Sequence, residues 1–333
     1  LKKILAVKLC CIGDIIQVTP SLRSIKQSGA EVHYLCVNWV KDLVTMVPFI
    51  DRAFIINRQS PLELMKVMPA LIAQKYDLII NFHRDLKSSL FISLLGAKET
   101  AGFNWKRQGW MLKHRFDFDS SAHEGDRYLS VVKGLGFPDA GIHTEIKAPE
   151  MNLNLNLNSG IKAGLFPGGG KNPGTVMITK RWPVERFIEL IDLMQNKGIT
   201  PYILGGEIDS DVAGEIKAQR PDVRFIKTAD INELAVVLSK MDVFIAGDTG
   251  PLHMSAALSV PTIGLFGPTS PELVGVRGKN CLNIWKKHEC APCYEPESVH
   301  QRKFLECTDN ICMKKISAQE VLDAALKLTG VRA

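Results

Sequence analysis

The sequence predicts an α/β protein built as two Rossmann-like α/β domains, each around a parallel sheet, facing each other across a cleft. Three observations lead there. A length of 333 residues sets a prior of about two domains, each large enough to bury its own core. Short aliphatic or β-branched runs alternate with helical patterns over most of the chain, the mark of parallel strands joined by right-handed crossovers. A low-complexity stretch near the middle interrupts the alternation, and both halves open with strand, glycine loop and helix.

In the first half the runs place strands at Lys3–Leu9, Glu31–Val37, Arg52–Ile56 and Asp77–Ile80, with amphipathic helices between and after them. The pattern pauses from Lys147 to Gly160. Leu153, Leu155 and Leu157 alternate there with asparagines, as in a half-buried extended strand, and Ser159-Gly160 loosens the chain, so this stretch reads as the interdomain linker. Strands resume at Ile161–Phe166, Pro201–Leu204, Val223–Ile226, Asp242–Ala246 and Thr262–Phe266, separated by helices near 183–196, 207–219, 230–240 and 251–258. The last helix starts at Ser317-Ala-Gln-Glu320, a capping box. The expected division is 1–158, 159–316 and a closing helix over 317–333.

Composition removes several classes of protein. With 46% apolar and 23% charged residues and no apolar run approaching ~18 residues, the chain is expected to be neither disordered nor membrane-spanning. Its first residues enter a strand-like run without the pattern of an export signal, so a cytoplasmic address is expected. The formal charge of +6 divides unevenly: residues 1–158 hold 20 Lys+Arg against 15 Asp+Glu, and residues 159–333 hold 21 against 20. A surplus of +5 against +1 suggests that the first half meets an acidic lipid, a phosphorylated glycan or nucleic acid, unless it is simply a solvated lysine surface. Nucleic acid ranks last, since no basic run is interleaved with aromatics.

Four segments carry chemistry. Gly13-Asp14 follows the first strand, at the end where open α/β sheets place ligands, so Asp14 suits a general base or simply caps the next helix. Phe166-Pro167-Gly168-Gly169-Gly170-Lys171 is a glycine loop, but Leu165 and Asn172 break the phosphate-loop pattern and no dinucleotide fingerprint is present. In Thr179-Lys180-Arg181-Trp182-Pro183, the proline begins a helix and Lys180 could meet a phosphate or lie on the surface. Ala246-Gly247-Asp248-Thr249-Gly250-Pro251-Leu252-His253 ends a strand, presents amides and starts a helix, which suits a diphosphate; a second tight loop, Gly267-Pro268-Thr269, lies at the same sheet edge.

Taken together, the Lys8-Leu9 to Gly13-Asp14 start, Lys180-Arg-Trp-Pro183, Gly247-Asp-Thr-Gly-Pro-Leu-His253 and Phe266-Gly-Pro-Thr269 resemble glycosyltransferase family 9, the heptosyltransferases of lipopolysaccharide core assembly. The resemblance runs from about residue 3 to about residue 328. It implies a GT-B fold and an inverting, metal-independent transfer from an ADP-heptose-like donor to a lipid-linked acceptor held by the first domain, with no cofactor. Asp14 would be the base and Lys180 would neutralise the leaving diphosphate. Glu207 would take the donor ribose, and Thr249, Gly250 and His253 the phosphates, with Thr179 and Asp248 completing the donor site. Arg84 and Lys87, in a segment that loosely resembles the acceptor side, would bind acceptor. Cys10 and Cys11 stand where the family places small hydroxyl residues. The Asp-x-Asp spacings at Asp117 and Asp119 and at Asp209 and Asp211 do not suit a metal at the diphosphate, because the first lies in the acceptor half and the second opens a helix.

Cys290, Cys293, Cys307 and Cys312 have a spacing close to a four-cysteine zinc site, with reduced thiols as the alternative. Two rival functions use the same fold: a nucleotide-sugar epimerase, which would need no acceptor, and a non-catalytic nucleotide-sugar-binding protein. The transferase implies an ADP-sugar, a lipopolysaccharide core or lipid-linked glycan, and a peripheral anionic surface at the inner membrane as partners, and no nucleic acid.

Overall fold

The computed structural model describes residues 2–9, 11–169, 171–172, 175–294 and 307–331. Cys10 and Gly170 of the motifs lie outside them, as do the last two residues of the predicted closing segment. The chain divides into two compact units, Leu1–Lys147 and Ala148–Ala333.

Unit 1 is a six-stranded parallel sheet made of β1 (Lys3–Val7), β2 (Glu31–Val37), β3 (Arg52–Ile56), β4 (Leu78–Asn81), β5 (Glu99–Phe103) and β6 (His114–Phe116). Their order is β3-β2-β1-β4-β5-β6. Central strands are buried on both faces and therefore read as unbroken apolar runs, as in Ile4, Leu5, Ala6 and Val7. Helices α1 (Ile12–Gln27), α2 (Lys41–Thr45), α3 (Pro61–Ile72), α4 (Leu86–Ser93) and α5 (Glu124–Gly134) accompany this sheet. Helix α5 packs on α1. Gly125 makes the approach close, because a Cβ there would lie 3.0 Å from the Gln17 amide oxygen.

Unit 2 repeats the design with β7 (Lys162–Phe166), a small antiparallel ribbon of β8 (Lys171–Asn172) and β9 (Thr175–Val176), then β10 (Thr200–Gly205), β11 (Arg224–Lys227), β12 (Val243–Gly247), β13 (Thr262–Phe266) and β14 (Cys281–Trp285). Its large sheet has the order β11-β10-β7-β12-β13-β14, again all parallel. Helices α6 (Val184–Asn196), α7 (Ser210–Gln219), α8 (Ile231–Leu238), α9 (Gly250–Ala257), α10 (Pro271–Val274), α11 (Ile311–Lys314) and α12 (Ala318–Thr329) follow in turn. The capping box opens α12 as expected, with Ser317 accepting from the Glu320 amide and Glu320 reaching back. Helix α12 packs on α6 and on β12 and β13.

Residues 148–158 form no strand, yet the alternation holds in burial: Leu153, Leu155 and Leu157 are half-buried and the asparagines between them exposed. Beyond the predicted strands, β5, β6 and β14 extend both sheets.

The core of unit 2 depends on an edge-to-face aromatic pair, Trp182 and Phe187, with ring centroids 4.9 Å apart. The Trp182 indole N–H donates to the Ile316 carbonyl at 3.1 Å, fastening the segment before α12 to the sheet. Phe187 is fully enclosed, so Phe187→Ala should cost about 3–5 kcal/mol. Urea unfolding followed by indole fluorescence checks this, and a loss under about 1 kcal/mol would contradict the packing described.

Candidate functional site

In a sheet of this order, the connections leaving the central strand and its neighbour run to opposite sides, and a crevice opens at their carboxyl ends. In unit 1 that switch point lies between β1 and β4, and in unit 2 between β7 and β12. Most of the predicted residues gather at these two places; Glu207, Arg84 and Lys87 do not.

At the first, Lys8 follows β1 and its Nζ lies 2.9 Å from Asp14 Oδ2. Asp14 sits in the first turn of α1, whose N-cap is Cys11, so its carboxylate is not spent on capping. Across the switch point, the Leu9 amide donates to His83 Nε2 at 2.8 Å. Asn81 and Asp85 brace the loop that carries His83: the Asn81 side-chain oxygen Oδ1 accepts from the His83 amide, and Asp85 caps α4 through the Ser88 amide. The Tyr128 ring lies under Lys8, 5.2 Å from Nζ, and its hydroxyl donates to Glu124.

These neighbours oppose one another. Burial and then the Glu124 charge raise the Asp14 carboxyl above its ordinary range, against the pull of Lys8 and His83. Asp14 nevertheless keeps 31% of its side-chain surface open to solvent. Burial, then the Lys8 charge, push His83 down to about 4, leaving the imidazole neutral at pH 7. The site thus offers an accessible carboxylate of raised basicity held against one ammonium. The sequence reading gives Lys8, His83, Glu124 and Tyr128 no role. Lys8 stood within the quoted motif, whereas Glu124 is 110 positions from Asp14 and only the packing of α5 on α1 brings it near.

Arg84 and Lys87 lie on the next segment. The Arg84 guanidinium stacks 4.7 Å from the Phe118 ring and 5.6 Å from Trp105, while Lys87 is exposed on α4.

In unit 2, Lys180-Arg181-Trp182 sends three side chains to three tasks. Lys180 Nζ meets Asp248 Oδ2 at 2.6 Å, both side chains being about nine-tenths buried. Arg181 Nε donates to the Gly169 carbonyl at 2.9 Å. Trp182 is the core anchor already described. His253 Nε2 stands 3.6 Å from the second oxygen of Asp248. Burial alone would raise the Asp248 carboxyl, but Lys180 and His253 outweigh it and hold the group well below the usual carboxylate range.

Thr249 is the N-cap of α9 yet makes no side-chain cap, its hydroxyl donating instead to the Gly247 carbonyl at 3.1 Å. The first amides of α9, beginning with Gly250, therefore keep their capacity for an anion. The hydroxyls of Thr179, next to Lys180, and of Thr269, in the loop after β13, are buried with no hydrogen-bond partner among the described residues, a costly arrangement for groups that a ligand does not reach. Gly169 explains the glycine loop: it has φ +94°, and a Cβ there would lie 2.2 Å from Thr249 Cγ2. Thr179, Lys180, Asp248, Thr249, Gly250 and His253 are thus brought to one switch point.

Glu207 is not drawn in. Its side chain is 77% exposed and pairs with Lys227. The carboxylate that organises this corner is Asp209, which accepts from the Gly169 amide at 2.9 Å and the Gly206 amide at 3.2 Å. In the sequence Asp209 is only an acidic residue at a helix start, and nothing local distinguishes an anchor from a dipole partner.

Cys290, Cys293 and Cys307 come near Cys312, whose thiol is pushed up to about 11 by burial and by these neighbours. Among the described residues, however, no group of three or more His, Cys, Asp or Glu side chains is arranged to hold a metal ion.

The family model for glycosyltransferase family 9 (heptosyltransferase) matches residues 64–303, spanning the unit 2 site and part of the unit 1 site. The chain belongs to this family. It is a glycosyltransferase. Lipopolysaccharide heptosyltransferase 1 of Pseudomonas aeruginosa is 25% identical, covering 96% of each chain. The family 9 glycosyl transferase of Veillonella parvula superposes with a TM-score of 0.81 at 22% identity, covering 98% of this chain and 97% of that one. Escherichia coli heptosyltransferase WaaC with ADP gives 0.76 at 20% identity, covering 98% and 99%. The two-sheet architecture is thus the GT-B fold of these enzymes.

Replacing Asp209 by Ala would leave the Gly169 and Gly206 amides without their acceptor. The expected loss is about 1–3 kcal/mol of stability, measured by thermal unfolding, with faster amide hydrogen exchange at Gly169. Unchanged exchange there would remove Asp209 as the anchor of the glycine loop.

Proposed function

We propose that this family 9 enzyme transfers a heptose, or a related sugar, from an ADP-activated donor to a lipopolysaccharide core acceptor, with inversion and without a metal ion. The observation that carries the reading is Lys180, buried against Asp248 beside an uncapped helix start and the orphaned Thr179 hydroxyl. Such a place suits the diphosphate of a nucleotide sugar, and the relatives' names supply the class of sugar and acceptor.

The first unit takes the acceptor and the second the donor. The Asp14 carboxylate removes the proton from the acceptor hydroxyl as its oxygen attacks the anomeric carbon from the face opposite the diphosphate. The bond from that carbon to the donor oxygen breaks, and the electron pair leaves with ADP. Lys180 and the α9 amides offset the charge that develops on the departing phosphate. Asp248 holds Lys180 in place, with His253 on its other oxygen. Thr179 supplies a hydroxyl to the donor, Glu207 receives the ribose at the rim, and Arg84 and Lys87 hold acidic groups of the acceptor.

Mass spectrometry of purified enzyme with ADP-heptose and truncated core lipids tests the whole reading. A heptosylated lipid is expected only when both substrates are present, and a product from donor alone would overturn it.

Asp14→Asn keeps size and removes the base, so turnover should fall by roughly 10²–10⁴-fold with donor affinity little changed. Near-normal turnover would take Asp14 out of the mechanism. Because the base must be ionised, kcat/KM should fall as pH drops through the raised Asp14 pKa. Glu124→Gln removes a charge that raises that pKa and should move the acidic limb to lower pH, while Lys8→Met should move it higher. A limb that stays fixed in both variants would assign it to another group.

Activity should also survive excess EDTA, since side chains and amides meet the diphosphate. Loss that magnesium restores would overturn the metal-free route.

A lipid-anchored acceptor would bring the enzyme to an anionic membrane surface, and the +5 surplus of residues 1–158 supports that reading. No helix among the described residues is long and apolar enough to cross a membrane.

A further inference from the structure

Helix α4 is apolar on two sides. One side is core: Phe91 and Ile92 are buried, as is Leu95 just beyond the helix. The other side carries Leu86, Leu90 and Leu94 at intervals of four, 45%, 43% and 57% exposed. A helix lying on a sheet normally gives its outer stripe to polar residues, so three leucines there call for a partner.

The Leu86 amide donates to Gln108 Oε1 at 3.0 Å, which brings the start of α4 against the 105–110 loop. That loop adds Trp110, 61% exposed. It also carries Lys106 and Arg107 in succession at φ +48° and +65°, a left-handed pair that non-glycine residues adopt only under constraint. Lys87, Lys106 and Arg107 are exposed, and none pairs with a carboxylate among the described residues. Residues 84–113 contain six Lys+Arg and two Asp+Glu, a net +4 out of the +5 of the whole first half. The charge asymmetry is therefore concentrated around this apolar stripe.

We infer that α4 and the 105–110 loop form a bilayer-docking face, in which Leu86, Leu90, Leu94 and Trp110 enter the interfacial zone of an anionic leaflet while Lys87, Lys106 and Arg107 meet its headgroups. Aliphatic side chains and an exposed indole ringed by cations suit that environment. A second copy of the chain suits it poorly, since two +4 faces would repel. The exposed stripe of α3, with Leu62 and Met65, lacks this ring, its Lys66 being bound to Glu63 at 2.7 Å. The inference rests on the anionic-surface reading and adds insertion to attraction.

The test uses the full chain with vesicles of phosphatidylethanolamine and phosphatidylglycerol, with and without bromine-labelled acyl chains, at low and high salt. Wild-type protein should bind with a fraction that high salt does not remove, and its fluorescence should be quenched by the bromolipid. Leu90→Gln combined with Leu94→Gln should lower partitioning roughly tenfold or more, Trp110→Phe should abolish most of the quenching, and Met65→Gln should do neither. Reversing Lys87, Lys106 and Arg107 should remove the salt-sensitive part, whereas reversing Lys217 and Arg220 should not. Salt-sensitive binding without quenching, equal in the double-leucine variant and wild type, would overturn insertion and leave the charge reading standing. Absence of binding at low salt would overturn both. A dimer in sedimentation equilibrium that the leucine substitutions dissociate, with vesicle binding unchanged, would assign the face to self-contact and overturn the proposal. The melting temperature of each variant guards against misfolding as the cause.

Discussion

A parallel sheet must send its connections over both of its faces, and the strand at which they change sides leaves a gap that no connection can cover. In each unit that strand is the first, β1 or β7. The rest of the molecule is organised around this constraint. The apolar runs fix the strands in the interior, the close approach of α5 to α1 and of Gly169 to Thr249 narrows the two gaps, and the ionisable side chains line what remains. Fold and site are consequently inseparable here: moving β4 or β12 to the other side of its neighbour would disperse the residues of either site.

The two gaps hold carboxylates with opposite behaviour although each has a lysine within 3 Å. Asp14 faces a second carboxylate, Glu124, as well as Lys8, and burial tips the balance toward the protonated form. Asp248 has two nitrogen partners, Lys180 and His253, and burial is outweighed. A carboxylate tuned upward suits accepting a proton, and one tuned downward suits holding a cation still. The difference arises from the neighbours beyond the lysine: Glu124, which only the packing of α5 on α1 brings to Asp14, and His253, which the turn into α9 sets beside Asp248.

That distance also separates what could be read from the sequence from what could not. Strands buried on both faces, such as Ile161–Phe166 and Thr262–Phe266, were legible because their apolar runs have no other explanation. Strand β5 contains Thr-Ala-Gly in its interior and β6 is three residues long at the sheet edge, so neither stands out. In the site, Asp14, Lys180 and the Gly247 to His253 segment were legible because each joins a strand end to a helix start within a few residues. Asp209 reads in the sequence only as an acid at a helix start, since only the folded loop reveals that it turns inward to the glycine amides. The linker leucines announced alternating burial correctly, but the ladder that such alternation usually accompanies did not form.

The ion pair between Lys180 and Asp248 has a consequence for any anion that enters unit 2. The cation there is already matched by an internal carboxylate, which acts as a tethered surrogate for the ligand. Entry is then an exchange of partners rather than the neutralisation of a bare charge, so few ions need to be released to solution. The pair also holds the lysine head pre-aimed, so an entering anion does not have to order that side chain as it arrives.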